Sequence, residues 1–254
     1  MPSGTCIRIF PTPDGVVQHA ARTLRDACSA HRERRVCIAL SGGSTPARLY
    51  RFLAEDFRRE IPWERLEVFF GDERCVPPEH PDSNYRLAHV ELLSRVPIPE
   101  AQVHRMPADA ADPAAGVDDY EDLIARLVPT GPLGEPSFDI VWLGLGEDGH
   151  TASLFPGTAA LDVGDRLVAF NEVPQLDARR MTFTYPLLNA GAVVQFLVLG
   201  GQKAPVVTRI LGPTARKSGA DLAPAARVRP AYGRVEWLLD REASAGITEQ
   251  GLLA

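Results

Sequence analysis

Apolar positions along the chain follow two alternating spacings, and together they predict an α/β fold. Near-continuous apolar runs of strand length occupy residues 6–10, 36–40, 66–70, 138–143 and 192–199, with shorter candidates at 167–170, 181–184 and 235–239. Between them, apolar residues recur at helical spacing and predict five helices. Three of these helices begin at Asp14, at Pro46 and at either Asp82 or Ser83; a fourth covers 116–127, and the fifth ends near Leu211. Strands this apolar are typical of a mainly parallel sheet covered by helices on both faces, and we expect one domain over residues 1–254.

Polar, glycine-rich loops follow four of the predicted strands. Each loop stands at the carboxyl end of its strand, at residues 41–46, 71–74, 144–150 and 200–203. In an open parallel sheet, ligands bind in the crevice outside the carboxyl ends of the strands. The four loops therefore predict one shared active site.

The first loop, SGGSTP at 41–46, has the composition of a phosphate cradle. Gly42 and Gly43 let the backbone approach a ligand, and the N–H groups of Ser44 and Thr45 lie at the positive end of the next helix. Thr45 is the expected N-cap of that helix. The alternative is an ordinary strand-to-helix turn, and the Walker pattern GxxxxGK[ST] does not occur in the loop.

The second loop places Asp72, Glu73 and Arg74 at the end of a strand. An arginine is suited to a bidentate hold on a phosphate group. An internal ion pair that holds the loop explains the same residues equally well, so both alternatives stay open here.

The third loop, GLGEDGH at 144–150, matches the dinucleotide-binding pattern GxGxxG. A dinucleotide site also needs a following helix, which the Pro-Gly pair at 156–157 would cut short, and Glu147 and Asp148 would put negative charge beside a pyrophosphate. The alternative is that the glycines position Asp148 and His150 in the crevice, where a histidine can transfer protons near neutral pH. We expect the second arrangement.

The basic residues are divided very unevenly between arginine and lysine. Of the 27, only Lys203 and Lys217 are lysines, which fits GC-rich codon usage. Lys203 nevertheless stands in GGQKA at the start of a predicted helix, where a cation opposes the helix dipole unless an anion lies between them. We therefore expect Lys203 at the site and Lys217 in a solvated loop.

Composition and charge argue against several classes of protein. The net charge of −6 disfavours a general nucleic-acid binder, and no apolar run is long enough for a membrane span. The N-terminus lacks the pattern of a signal peptide, and the four cysteines form no CxxC pair. We therefore expect a reducing, cytoplasmic environment and neither a disulfide framework nor a zinc site.

Taken in order, these motifs resemble the 6-phosphogluconolactonase family. They are SGGSTP, GDERCVPPEHPDSNYRLA, GLGEDGHTASLFPG, TYPLLNA, GGQKA and GRVEWLLDREA, and they extend from about residue 41 to the C-terminus. The resemblance implies a Rossmann-like three-layer sandwich, shared with glucosamine-6-phosphate deaminase and ribose-5-phosphate isomerase, with no cofactor and no metal. It also implies hydrolysis of 6-phospho-D-glucono-1,5-lactone to 6-phosphogluconate in the oxidative pentose phosphate pathway, by a monomer or weak homodimer.

The same resemblance implies roles for individual residues. His150 matches the catalytic histidine, which takes a proton from the attacking water, and Asp148 would orient or charge-balance it. The implied contacts with the substrate and its phosphate are Gly42, Gly43, Ser44, Thr45, Asp72, Arg74, Arg180 and Lys203. Which of these groups contacts the phosphate directly is left open.

Two other functions fit part of the pattern. An aminosugar-phosphate deaminase/isomerase of the same superfamily would use Asp72 as a base, but those relatives carry a glutamate five residues after the histidine, where this chain has Phe155. A non-catalytic sugar-phosphate-binding protein would keep the glycine loop, Arg74 and Lys203 but would not need His150. We therefore favour the lactonase.

Overall fold

Strands and helices alternate through most of the chain. The computed structural model describes residues 4–132, 134–212 and 223–247. Its strands are β1 (Thr5–Phe10), β2 (Val36–Leu40), β3 (Leu66–Phe70), β4 (Asp72–Arg74), β5 (Ile140–Leu143), β6 (Val168–Val173), β7 (Ala178–Phe183), β8 (Val193–Val198) and β9 (Arg234–Asp240). Its α-helices are α1 (Pro13–Ala30), α2 (Ser44–Glu55), α3 (Asn84–Glu91), α4 (Pro113–Leu127), α5 (Tyr185–Ala190) and α6 (Ala204–Leu211). Lys217 lies outside the described residues.

A six-stranded parallel sheet, in the order β1-β9-β8-β5-β2-β3, forms the central layer. Helices α1 and α2 pack against each other and against β8. The three-layer α/β architecture predicted from the sequence is thereby confirmed, and the assignment of the chain to one domain stays a prediction. Within the described ranges, no helix is both long enough and apolar enough to cross a bilayer.

Burial explains why four of the strands could be recognised. Every residue of β2, β3, β5 and β8 is buried, so these strands have no solvent-facing side and appear as near-continuous apolar runs. The structure keeps the predicted bounds of β2 and β3 unchanged. At the sheet edge, β1 exposes Arg8 and Ile9.

A second sheet, in the order β4-β7-β6, is antiparallel and three-stranded. The sequence predicts a loop at residues 71–74, and that prediction is wrong for Asp72–Arg74, which pairs with β7. A strand of three residues is too short to show a period in its sequence, so the pattern carries no signal for it. The pairing places Arg74 directly opposite Arg180.

A row of polar side chains crosses the centre of the main sheet. The strand register aligns Trp142, Gln195 and Glu236 on β5, β8 and β9. Trp142 Nε1 donates to Gln195 Oε1 at 2.9 Å, and Gln195 Nε2 donates to Glu236 Oε2 at 2.7 Å. Buried polar groups are stable when they are fully hydrogen-bonded, and this row meets that condition.

The Glu236 carboxylate also lies close to a guanidinium group and an imidazole ring. Arg234 Nε lies 3.0 Å from Oε1, and His19 Nε2 lies 3.5 Å from Oε2. Burial by itself raises the pKa of Glu236, but hydrogen bonds from His19, Gln195 and Arg234 outweigh it and lower the pKa to about 2. Since this pKa is depressed on folding, the carboxylate stabilises the fold at pH values above its unfolded pKa. That contribution is lost as the pH falls toward 2.

We expect Glu236→Gln to lower the free energy of unfolding by roughly 2 to 3 kcal/mol at pH 7. Glutamine keeps the shape of the side chain but has no carboxylate, so the stabilisation that comes from the lower pKa in the folded state is lost. Urea denaturation at pH 7 and pH 3 measures the difference from wild type. The difference should shrink at pH 3, where the wild-type carboxylate has lost most of its advantage. Glu79→Gln, at an exposed position, is the control and should match wild type at both pH values. An equal loss at both pH values for Glu236→Gln would contradict the electrostatic account.

Candidate active site

A cleft of about 230 Å³ lies at the carboxyl ends of the parallel strands. All four predicted loops contribute to its wall. The predicted site residues that line it are Gly42, Gly43, Ser44, Thr45, Asp72, Arg74, His150 and Lys203. Asp148 and Arg180 do not line this cleft.

The glycine loop is held from beneath by α2. The Tyr50 hydroxyl donates to the carbonyl oxygen of Ser41 at 2.6 Å and accepts from the Ser41 N–H at 3.1 Å. Gly43 has a φ of +104°, in the region that favours glycine, and it is the N-cap of α2. The prediction of Thr45 as N-cap is wrong, because this glycine conformation lets the helix begin at Ser44, two residues before the predicted start at Pro46.

No side chain caps the first turn of α2, and that turn carries no acidic residue. The first N–H groups of a helix lack intrahelical acceptors, and the helix dipole adds positive potential at that end. Ser44 and Thr45 of this turn line the cleft. The arrangement suits an anion such as a phosphate group.

His150 is fixed in a tight turn after β5. Its Nδ1 lies 2.6 Å from Asp148 Oδ1, and its backbone N–H donates to the same oxygen at 3.0 Å. Gly149, between them, has a φ of +92°. An ionised carboxylate can only accept, so Nδ1 carries a proton, and in the neutral form of the ring the lone pair is on Nε2. Asp148 therefore sits beside the imidazole rather than in the cleft wall.

Gly146 is the glycine of this loop that approaches His150 most tightly. A Cβ at Gly146 would lie 2.1 Å from His150 Nδ1 and 2.6 Å from Asp148 Oδ1. A Cβ at Gly144 would meet nothing within 4 Å. The loop then continues through turns to a 3₁₀ helix at Ala159–Asp162, so the helix that a dinucleotide site requires is not formed there.

Asp72 lies buried in the cleft wall. Its Oδ2 accepts from Ser153 Oγ at 2.6 Å, and its Oδ1 accepts from Asn84 Nδ2 at 3.2 Å. A carboxylate has about four acceptor positions, so capacity remains for a hydroxyl group of a ligand.

Glu73 organises the same loop but does not form the ion pair considered from the sequence. Its carboxylate accepts from the backbone N–H groups of Arg74, Asn84 and Tyr85 and from Ser83 Oγ, at 2.7 to 3.0 Å. Burial raises the pKa of Glu73, although the backbone hydrogen bonds oppose that rise. Glu73 therefore ties β4 to the start of α3, for which Ser83 is the N-cap, as one of the two predicted alternatives has it.

Arg74 and Arg180 are cross-strand partners. Arg74 lines the cleft and also the adjacent groove, and Arg180 lines only the groove, which has a volume of about 860 Å³. Burial, and then the charge of Arg74, lower the pKa of Arg180. Like charges placed opposite each other destabilise a sheet, and the described part of the chain gives neither guanidinium an ion pair.

Lys203 reaches the cleft from the fourth loop. It ends a 3₁₀ turn, Gly201–Lys203, that leads directly into α6. Gly200, which opens the turn with a φ of +88°, donates its N–H to the buried Asp240 carboxylate at 3.1 Å. The end of β9 thereby positions the lysine.

Two polar groups of the cleft were missed in the sequence. Ser41 and Asn84 are buried, and neither Ser41 Oγ nor Asn84 Oδ1 has a hydrogen-bond partner. Ser41 stands in the motif SGGSTP and Asn84 in GDERCVPPEHPDSNYRLA, but no sequence spacing indicates that the start of α3 lies against Gly42. Over the described ranges, no three His, Cys, Asp or Glu side chains are grouped as a metal site would need.

Comparison with known proteins assigns the family. The model of the family described as glucosamine-6-phosphate isomerases/6-phosphogluconolactonase matches residues 11–237. A 6-phosphogluconolactonase of Synechocystis sp. is 47% identical over 207 residues, which cover 81% of this chain and 82% of the relative. One from Nostoc sp. is 42% identical over 218 residues, which cover 85% and 87%.

The fold comparison agrees. The solved 6-phosphogluconolactonase of Trypanosoma brucei is 30% identical and superposes with a TM-score of 0.79, covering 96% of this chain and 99% of that one. The family model spans most of the sequence and both curated relatives match over most of their lengths. The chain therefore belongs to the glucosamine-6-phosphate isomerase/6-phosphogluconolactonase family, as its motifs predicted.

Proposed function

We propose that this protein hydrolyses 6-phospho-D-glucono-1,5-lactone to 6-phosphogluconate. One observation carries the proposal: His150, held at Nδ1 by Asp148, lines the same cleft as the uncapped start of α2. A base and an anion site on one cleft match a substrate with a carbonyl carbon at one end and a phosphate at the other. The cytoplasmic location and the monomer or weak homodimer stay predictions.

The phosphate is proposed to lie at the start of α2. There the N–H groups of Ser44 and Thr45 donate to its oxygens, and Lys203 supplies a cation from the opposite loop. Arg74 completes the anion site. An anion bound beside Arg74 would also relieve the repulsion between Arg74 and Arg180, two arginines that form no ion pair with any residue the structure describes.

In the reaction, His150 acts as a general base. Its Nε2 takes a proton from water as the water oxygen bonds to the lactone carbonyl carbon, and Asp148 stabilises the imidazolium that forms. When the tetrahedral intermediate collapses, the bond between that carbon and the ring oxygen breaks. The proton on Nε2 then passes to the ring oxygen, which leaves as a hydroxyl group. Asp72 accepts a hydrogen bond from a sugar hydroxyl.

The deaminase alternative has less support in this cleft. The position at which the deaminases carry a glutamate is Phe155 here, and its ring stacks on His150 with centroids 4.0 Å apart. An apolar ring cannot relay a proton to or from the imidazole.

Removal of the base or of its partner tests the mechanism. We expect His150→Ala and Asp148→Asn each to lower kcat by about 10²- to 10⁴-fold, because general acid–base catalysis contributes that much, while KM changes little. Lactone hydrolysis is followed by proton release, with the spontaneous rate subtracted. His89→Ala, an exposed histidine on α3, is the control. Full activity of His150→Ala would refute the mechanism.

The two glycines before Asp148 offer a matched pair. We expect Gly146→Ala to lower kcat by about 10²-fold, because the new methyl group displaces the imidazole and the carboxylate it contacts. Gly144→Ala has free space and should retain wild-type kcat. Steady-state kinetics of both variants measures the contrast, and equal activity of the two would contradict the described geometry.

Lys203 is expected to require a compact ammonium group. Lys203→Arg should raise KM more than it lowers kcat, because a guanidinium is larger and differs in shape from the ammonium that faces the phosphate. Lys217→Arg, the same change outside the described residues, should be silent. If the two variants had identical kinetics, codon usage alone would explain the lysine at position 203.

A further inference from the structure

The imidazole of His150 is bounded by more than the Asp148 carboxylate. Phe155 stacks on one face of the ring, with the two planes 25° apart. Gly146 approaches the edge that joins Nδ1 and Cε1, since a Cβ there would lie 2.1 Å and 2.3 Å from these atoms. Because Nδ1 is bonded to Asp148, Nε2 is the ring nitrogen left for a ligand in the cleft that His150 lines.

The stacked ring of Phe155 is itself held in place. Only 6% of Phe155 is exposed, and its carbonyl oxygen accepts from Thr158 Oγ1 at 2.8 Å. Asn171 on β6, fully buried, donates from Nδ2 to that Thr158 hydroxyl oxygen at 3.0 Å and to the Ser153 carbonyl oxygen at 2.8 Å. The antiparallel sheet therefore anchors the segment that carries Phe155 on both sides.

We propose that Phe155 is a positioning residue that holds the plane of the His150 imidazole. The side-chain torsion that sets an imidazole plane is soft, and a single hydrogen bond at Nδ1 leaves the ring free to tilt about that bond. A flat, rigid neighbour removes this freedom. The stack therefore keeps Nδ1–H directed at Asp148 and the Nε2 lone pair directed at the cleft. The effect on catalysis rests on the proposed role of His150 as base, whereas the effect on the ring does not.

A purely structural role for Phe155 would have different consequences. If the side chain only filled space, leucine would serve nearly as well, and its loss would lower stability without changing the imidazole. If it positions the ring, its loss redistributes the proton between the two ring nitrogens. It also lowers kcat with little change in KM, because the phosphate cradle lies on other loops.

The test compares Phe155→Leu with Phe155→Tyr, which keeps an aromatic face, and with Phe57→Leu. Phe57 is a control with the same 6% exposure, and its ring packs at a tilt against Phe52, with centroids 5.3 Å apart. Long-range ¹H–¹⁵N spectra of the full-length protein report which nitrogen of His150 is protonated, with the signals assigned by their loss in His150→Ala. Lactone hydrolysis gives kcat and KM. If Phe155→Leu does not fold, Phe155→Met supplies the same test, because methionine fills the space without a rigid face.

We expect the proton on Nδ1 in wild type, Phe155→Tyr and Phe57→Leu, and a mixture of both forms in Phe155→Leu with kcat lowered about tenfold or more. A proton that stays on Nδ1 in Phe155→Leu overturns the proposal, whether or not kcat falls. A redistributed proton with wild-type kcat supports the positioning role and instead refutes His150 as the base.

Discussion

The parallel pairing of β2, β5 and β8 is the constraint on which the site depends. These neighbouring strands carry the glycine loop, the His150 turn and the Lys203 turn at their carboxyl ends. Because the strands are parallel and adjacent, loops that are more than fifty residues apart in sequence meet in one cleft. The polar row from Trp142 to Glu236 holds β5, β8 and β9 in register inside the sheet, so the core fixes the position of the cleft.

Three of the groups proposed to act in the cleft are each held by a residue outside its lining. Tyr50 holds the glycine loop, Asp240 holds the turn before Lys203, and Asp148 orients His150. Such support matters because proton transfer and phosphate binding both fail when a group is misplaced by a fraction of a bond length. The small antiparallel sheet adds the same kind of support through Asn171, which donates to the Ser153 carbonyl oxygen.

Much of this could be predicted from the sequence, for identifiable reasons. Strands β2 and β3 are buried on both faces, so their apolar runs have sharp ends, and the loops that follow them contain the cleft residues. The start of α2 was misplaced because a positive φ at Gly43 cannot be inferred from composition. Strand β4 was missed because its pairing with β7 joins segments about a hundred residues apart. The contacts of Asn84 and Phe155 depend on that tertiary arrangement, so no local sequence pattern predicts them.

The proposed reaction in this cleft is the opening of a sugar-phosphate lactone by water that His150 activates. It is tested by assaying the purified wild-type chain on 6-phospho-D-glucono-1,5-lactone and, in parallel, on glucosamine 6-phosphate. We expect lactone hydrolysis well above the spontaneous rate and no release of ammonia. Lactone opening at the spontaneous rate, with or without ammonia release from the aminosugar, would refute the proposed reaction.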